Sequence, residues 1–242
     1  MARNYKPLLF LVCLLPLARL LYLGFSGGLG ANPIEFVTRS TGTWTLVGLL
    51  LTLTVTPLRR LTGRNELIRY RRMLGLFAFF YACLHFMTYL WLDQFFDLGG
   101  ILRDIYKRPF ITVGFTAFLL LLPLAITSTH TMMRRLGRRW QQLHRLVYLV
   151  GLLGVLHYLW LVKKDLTQPL IYAGVLLVLL GLRLPFIATR LSGMRQRLTM
   201  ARVAITSMLS TVCATSGGHI KNGSRGSRFR MGKARPVKAR KA

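Results

Sequence analysis

Acidic residues are scarce in this chain. Its 242 residues include 34 Lys and Arg but only 6 Asp and Glu, so the formal net charge at pH 7 is +28. Hydrophobic residues nevertheless make up 53% of the chain, and the mean hydropathy is +0.45. This combination argues against a soluble domain and is typical of an integral membrane protein whose charges are confined to loops and tails.

Clustered cysteines and alternating strands are missing as well. The three cysteines (Cys13, Cys83 and Cys213) are scattered, so neither a zinc site nor a disulfide framework is predicted. No segment keeps the period-2 alternation of polar and apolar residues that a transmembrane β-barrel requires. Any membrane spans must therefore be helices.

Long apolar runs are abundant. Most of them approach the roughly 20 residues that a spanning helix needs. The six runs are 8–25, 44–58, 73–92, 109–127, 146–162 and 169–187. They predict an all-α integral membrane protein, a six-transmembrane-helix bundle formed by residues 1–190. A signal peptide is the alternative for the first run, which follows Arg3 and Lys6.

The basic residues indicate the orientation of the spans. Six arginines lie in loop 59–72, five in loop 128–145 and thirteen Lys and Arg after residue 188. The alternate loops hold only six basic residues, together with five of the six acidic ones. Because cytoplasmic loops are enriched in Lys and Arg, both the N and C termini are predicted to be cytoplasmic.

Residues 191–242 are predicted to form a basic, mostly disordered cytoplasmic tail, because Gly, Ser, Arg and Lys dominate 217–242. Anionic membrane lipid is its expected partner. Nucleic acid is not expected, since few aromatic residues are interleaved with the charges.

Three histidines, His85, His144 and His157, lie inside or at the ends of the apolar runs. Ionisable residues at membrane depth are costly and so suggest functional sites. His85 lies 13 residues beyond Arg72, and His157 lies 13 residues beyond His144. At 1.5 Å per residue both lie about 20 Å from the inner edge, on parallel spans. Two histidines at one depth favour a bis-histidine haem b site. Helix-to-helix hydrogen bonding is the alternative.

Several local strings have a familiar order and spacing. They are GGLGANPIEF, TGTWTL, LIRYRRMLGLF, ACLHFMTY, KRPFITVG, ITSTHTMMRRLGRRWQQLHRLVYL, GVLHYLW and QPLIYAG. Over about residues 8–187 the chain resembles the MsrQ (YedZ) family, the haem-binding membrane subunits of a bacterial periplasmic methionine-sulfoxide reductase system. The family belongs to the ferric-reductase and NADPH-oxidase transmembrane group.

In that group, two helices each carry two haem-ligating histidines. The resemblance implies that His85 and His157 are the iron ligands of an outer haem and that His144 is a ligand of an inner one. The fourth position falls at Arg71, which is not a histidine. One haem b is therefore implied, and a second is left open. Arg71 could pair with a haem propionate instead, because a guanidinium suits carboxylates.

The resemblance also implies an electron-transfer subunit of the bacterial inner membrane rather than the catalytic subunit. Electrons from the quinone pool or a flavin reductase would pass through haem to a periplasmic molybdopterin-containing reductase that repairs oxidised envelope proteins. FMN is implied by the resemblance alone. Two alternatives stay open: a stand-alone ferric or oxygen reductase, and a non-redox membrane scaffold or transporter.

Overall fold

The computed structural model describes residues 5–162 and 165–183, together with Met200 and Met208. Within these residues the chain is helical, which confirms the all-α prediction, and the helices belong to one compact unit. The helices are α1 Lys6–Phe25, α2 Pro33–Thr62, α3 Ile68–Thr88, α4 Leu98–Lys107, α5 Pro109–Ile126, α6 His130–Leu136, α7 Arg138–Leu143, α8 Leu146–Leu161 and α9 Thr167–Gly181. A 3₁₀ turn, Asn65–Leu67, precedes α3, and a π-helical turn, Tyr89–Asp93, extends it.

Five helical stretches in the described residues are long and apolar enough to cross a membrane. They are Lys6–Phe25, Pro33–Thr62, Asn65–Asp93, Pro109–Ile126 and Arg138–Leu161. The sixth apolar helix, α9, has 15 residues, about 22 Å, and is shorter than a bilayer core of about 30 Å. A span count of six and cytoplasmic termini therefore stay predictions. The predicted tail 191–242 lies outside the described residues, apart from Met200 and Met208.

Helix α2 is much longer than the predicted run 44–58. It begins with Pro33 at its first turn, and the Asn32 side chain accepts a hydrogen bond of 3.3 Å from the Glu35 backbone N–H. It ends at Thr62, and the next residue, Gly63, has a left-handed φ of +72° that suits glycine. The apolar run did not include the first turns of α2, because those turns are polar. The Asn32 cap and Pro33 are local signals for the start of the helix.

The bundle is built from two helix pairs. Helix α2 packs along α3, α5 packs along α8, and the pairs meet where α3 contacts α5 and α2 contacts α8. Leu53, Val150 and Leu176 lie at the centre and are at most 2% exposed. A Cβ built on Gly48 of α2 would lie 3.0 Å from the Ala78 Cβ of α3. Small residues thus let these two helices approach closely.

A buried tyrosine joins α1 to the bundle. The Tyr81 hydroxyl donates to the Cys13 carbonyl at 2.8 Å and accepts from the Leu17 N–H at 3.2 Å. Cys13 and Leu17 are four residues apart and would normally bond to each other. The hydroxyl therefore bonds to both members of one backbone pair of α1, close to Pro16 inside that helix.

Replacing Gly48 with Leu is expected to lower the thermal unfolding temperature of the detergent-purified protein. The added side chain has no room against Ala78, and overpacking typically costs about 1–3 kcal/mol. Gly174→Leu is the matched control, because nothing lies within 4 Å of a Cβ at Gly174. Equal unfolding temperatures for the two variants would show that the close crossing of α2 and α3 is not needed.

Candidate functional site

His85 is held by the neighbouring helix α2. Its Nδ1 lies 2.9 Å from the Thr38 carbonyl oxygen, and a Cβ on Gly42 would come within 3.0 Å of its Cε1. Since a carbonyl only accepts, Nδ1 must carry the hydrogen, which leaves a lone pair on Nε2 of the neutral ring. The absent side chain at Gly42 makes the close approach of the imidazole possible.

His157 is held by α5 in the same manner. Its Nδ1 lies 2.6 Å from the Phe110 carbonyl oxygen, and a Cβ on Gly114 would come within 2.7 Å of the same nitrogen. The ring is again fixed with the hydrogen on Nδ1 and the lone pair on Nε2. We call each combination of a carbonyl and a glycine four residues later a histidine seat.

The two histidine seats repeat along the chain. Thr38 and His85 are 47 residues apart, and so are Phe110 and His157. In both cases the histidine belongs to the second helix of a packed pair and the seat to the first. The pair α5 and α8 therefore repeats the local arrangement of α2 and α3.

The structure brings the two predicted histidines, His85 and His157, together across the bundle. Their ring centres are 6.2 Å apart and their planes are inclined at 74°. Among the described residues, the hydrogen bonds of both rings are made by Nδ1. Two imidazoles that bind one metal ion from opposite sides, at about 2.0–2.1 Å per nitrogen, place their ring centres about 6 Å apart. The observed spacing fits a single ion between them.

Two imidazoles alone are too few for an ordinary protein metal site. In the part of the chain that the structure describes, no three His, Cys, Asp or Glu side chains come together. The other ligands of an ion held here would come from a bound group, and a planar macrocycle supplies four in one plane. Aromatic rings of α3 and α5 lie close by, with Phe86 stacked on Phe118 at 4.6 Å.

His144 does not join this pair. It lies in the break between α7 and α8, where its ring stacks on Trp140 with centres 3.9 Å apart. Its Nε2 is 3.4 Å from the Ser128 hydroxyl, and its Nδ1 is 3.2 Å from the Trp140 carbonyl. The contacts of His144 thus involve neither His85 nor His157. Arg71 lies near the beginning of α3 and is partly buried.

Sequence analysis did not identify the two seats. Thr38 and Phe110 act through backbone carbonyls, which side-chain patterns do not reveal. No role was predicted for Gly42 and Gly114, because the reason for a glycine within a helix becomes clear only when the side chain packed against it is known. A self-comparison of the chain carries the missing signal, since glycine and histidine recur at one separation.

Known proteins resemble the chain over most of its length. A family model described as the ferric reductase like transmembrane component matches residues 41–155. The protein-methionine-sulfoxide reductase heme-binding subunit MsrQ of Herminiimonas arsenicoxydans is 60% identical over 181 residues, covering 74% of this chain and 83% of the relative. The subunits of the same name from Azospira oryzae and Ralstonia nicotianae are 62% and 61% identical, covering 74% and 75% of this chain and 77% and 85% of those relatives.

Proposed function

The chain belongs to the MsrQ family of heme-binding subunits of protein-methionine-sulfoxide reductase, and we propose that it transfers electrons outward through haem b. As a member of this family it is a multi-pass protein of the bacterial inner membrane and the membrane haem subunit of that reductase system. We further propose that His85 and His157 are the axial ligands of one haem in the outer half of the membrane.

The spacing of the two imidazoles carries this proposal. Ring centres 6.2 Å apart match the distance of about 6 Å for two imidazoles on one metal ion. In both rings Nε2 is the nitrogen left with a lone pair. Near His85, the Thr38 hydroxyl is buried and has no partner among the described residues. That orphaned polar atom is consistent with a site completed by a ligand.

The histidine seats supply the positioning. A hydrogen bond from Nδ1 to a carbonyl fixes the ring orientation and raises the basicity of Nε2, which stabilises the oxidised metal. When bound, haem supplies reversible one-electron chemistry at its iron. Four helices hold the two rings, so the ligand geometry changes little between redox states.

The proposed direction of transfer is from the cytoplasmic side to the periplasm. Quinol or a reduced flavin is the proposed donor, and a periplasmic molybdopterin-containing methionine-sulfoxide reductase is the proposed acceptor. Reduction of one sulfoxide to a thioether and water takes two electrons and two protons. The chain delivers electrons one at a time and takes no part in breaking the sulfur–oxygen bond. FMN is proposed on the family resemblance alone.

His157→Ala and His85→Ala are each expected to lower the haem content of the purified protein, because one imidazole alone leaves an axial position empty and binds the haem more weakly. The measurement is the pyridine-haemochrome content per mole of purified protein. His130→Ala is the matched control, since His130 is exposed. Unchanged haem in either of the first two variants would overturn the ligand assignment. His144→Ala is expected to keep the outer haem.

Gly114→Ala is expected to weaken haem binding without removing a ligand. The new Cβ would lie 2.7 Å from His157 Nδ1, so the ring must move away from the Phe110 carbonyl. Loss of such a supporting hydrogen bond typically costs about 10–100-fold in metal affinity. Haem content and midpoint potential are the measurements. Gly154→Ala, whose Cβ would only touch Leu46 at 3.6 Å, should match wild type, and equal values for both variants would contradict the role of the seat.

Electron delivery is tested with the purified partner. The haem of the full-length protein is reduced with dithionite, freed of excess reductant, and mixed without oxygen with the periplasmic reductase and methionine sulfoxide. Haem reoxidation is expected to require both additions, because the acceptor is the reductase. Reoxidation at the same rate by methionine sulfoxide alone, or its absence with both, would overturn the proposed route.

A further inference from the structure

Helix α4, Leu98–Lys107, joins two helical stretches of membrane length. The first of these stretches ends at Asp93, and α5 begins at Pro109. The 10 residues of α4 extend about 15 Å, which is half of a bilayer core of about 30 Å. Helix α4 therefore cannot cross a membrane. Its short connections hold both of its ends near the level at which the neighbouring stretches end.

Contacts with neighbouring residues fix the orientation of α4 about its own axis. Ile101 is buried. The Asp104 carboxylate accepts a hydrogen bond of 2.9 Å from the Gln94 amide and one of 3.4 Å from the Tyr89 hydroxyl. It also forms an ion pair of 3.3 Å with Arg108. Ile101 and Asp104 thus lie on the side of α4 that faces the rest of the protein.

A second group of apolar residues on α4 is exposed. Leu98, Leu102 and Tyr106 recur at every fourth position and so share one side of the helix. They are 74%, 69% and 90% exposed, and we call them the apolar stripe. Arg103 and Lys107 are exposed as well, and Lys107 lies about 140° round the helix from Leu102. Helix α4 therefore has one side against the protein, one apolar side and one charged side.

Exposed aromatic rings also occupy the segment that leads into α4. They belong to Trp91, Phe95 and Phe96. Phe95 and Phe96 have φ values of +49° and +60°, a left-handed conformation that is costly for bulky side chains. The chain thus keeps a strained turn that leaves two phenylalanine rings exposed. Aromatic residues in such a position are typical of the boundary between lipid and water.

Two kinds of partner fit an exposed apolar stripe: a membrane surface and a water-soluble protein. The short connections favour the membrane. Only residues 94–97 precede α4, and Arg108 alone separates it from α5, so the stripe stays level with the ends of two lipid-facing stretches. A helix with one apolar side and with Lys and Arg on another side has the composition of an interfacial helix.

We propose that α4 lies in the plane of the membrane surface, with its apolar stripe inserted among the phospholipids. This surface is the one opposite loops 59–72 and 128–145. The stripe meets the acyl chains at the headgroup boundary, and the long side chains of Arg103 and Lys107 reach the lipid phosphates. The proposal needs no haem and does not depend on the route of the electrons.

The inserted helix would also anchor the beginning of α5. The Thr112 hydroxyl of α5 donates to the Ile105 carbonyl of α4. Phe110, whose carbonyl accepts from His157, lies in the same first turn of α5. Lipid contact at α4 therefore holds this turn at a constant depth.

The experiment measures the depth of nitroxide labels on α4. Full-length protein with its three cysteines replaced by alanine receives Leu102→Cys or Lys107→Cys, is labelled, and is reconstituted into vesicles of phosphatidylethanolamine and phosphatidylglycerol. Power saturation in electron paramagnetic resonance compares collisions with oxygen, which dissolves in lipid, and with a water-soluble nickel chelate. We expect the oxygen-to-nickel ratio to be several-fold higher at position 102, because the apolar side is inserted by about 5–10 Å.

Three results would overturn the proposal. Equal ratios at the two positions would show that neither side of α4 enters the lipid. High nickel access at position 102 would indicate a surface left open for a soluble partner. Low access of both reagents at position 102 would indicate contact with a second copy of the chain. If Leu102→Cys does not fold, as judged by size-exclusion chromatography, Tyr106→Cys tests the same stripe with the same expected and contrary results.

Discussion

The hydrogen bond from each histidine Nδ1 to a helix carbonyl is the interaction on which the proposed site depends. It fixes which ring nitrogen carries the hydrogen, leaves Nε2 with a lone pair, and helps to hold the two rings with their centres 6.2 Å apart. The carbonyls of Thr38 and Phe110 already serve their own helices, and each has a second lone pair to offer. Glycine four residues later provides the space that the imidazole needs.

These hydrogen bonds require helices that pack closely in pairs. A histidine can reach the backbone of a neighbouring helix only where the two helices run close together, and small residues permit that approach. Gly48 against Ala78 does this for α2 and α3, and the glycine seats do it beside the rings. Because both pairs use one arrangement, one side chain from each pair meets at the centre. The histidine pair is thus a product of repeated packing rather than of an isolated motif.

The two ends of the bundle are chemically different. Aromatic rings and backbone carbonyls lie beside the imidazoles of His85 and His157, which suits a metal held by nitrogen ligands. At the other end, the Arg183 guanidinium donates to the Tyr148 hydroxyl and to the Leu53 carbonyl, and His144 stacks on Trp140. Pro57 has no N–H, so the Leu53 carbonyl of α2 lacks its usual helical partner. It accepts instead from the Arg183 guanidinium.

Much of this protein could be predicted from composition and spacing. Apolar runs of membrane length, few acidic residues and basic loops determine an all-α membrane protein, and equal distances from the basic boundaries brought His85 and His157 to one depth. Helix ends with polar first turns, such as that of α2, were missed because hydropathy averages over a window. Only the tertiary structure revealed the seats, the separation of His144 from the pair and the contacts of Arg183 with α2 and α8. These depend on which helices are neighbours and on backbone atoms that all residues share, so the sequence shows at most the repeated separation of glycine and histidine and not the partners themselves.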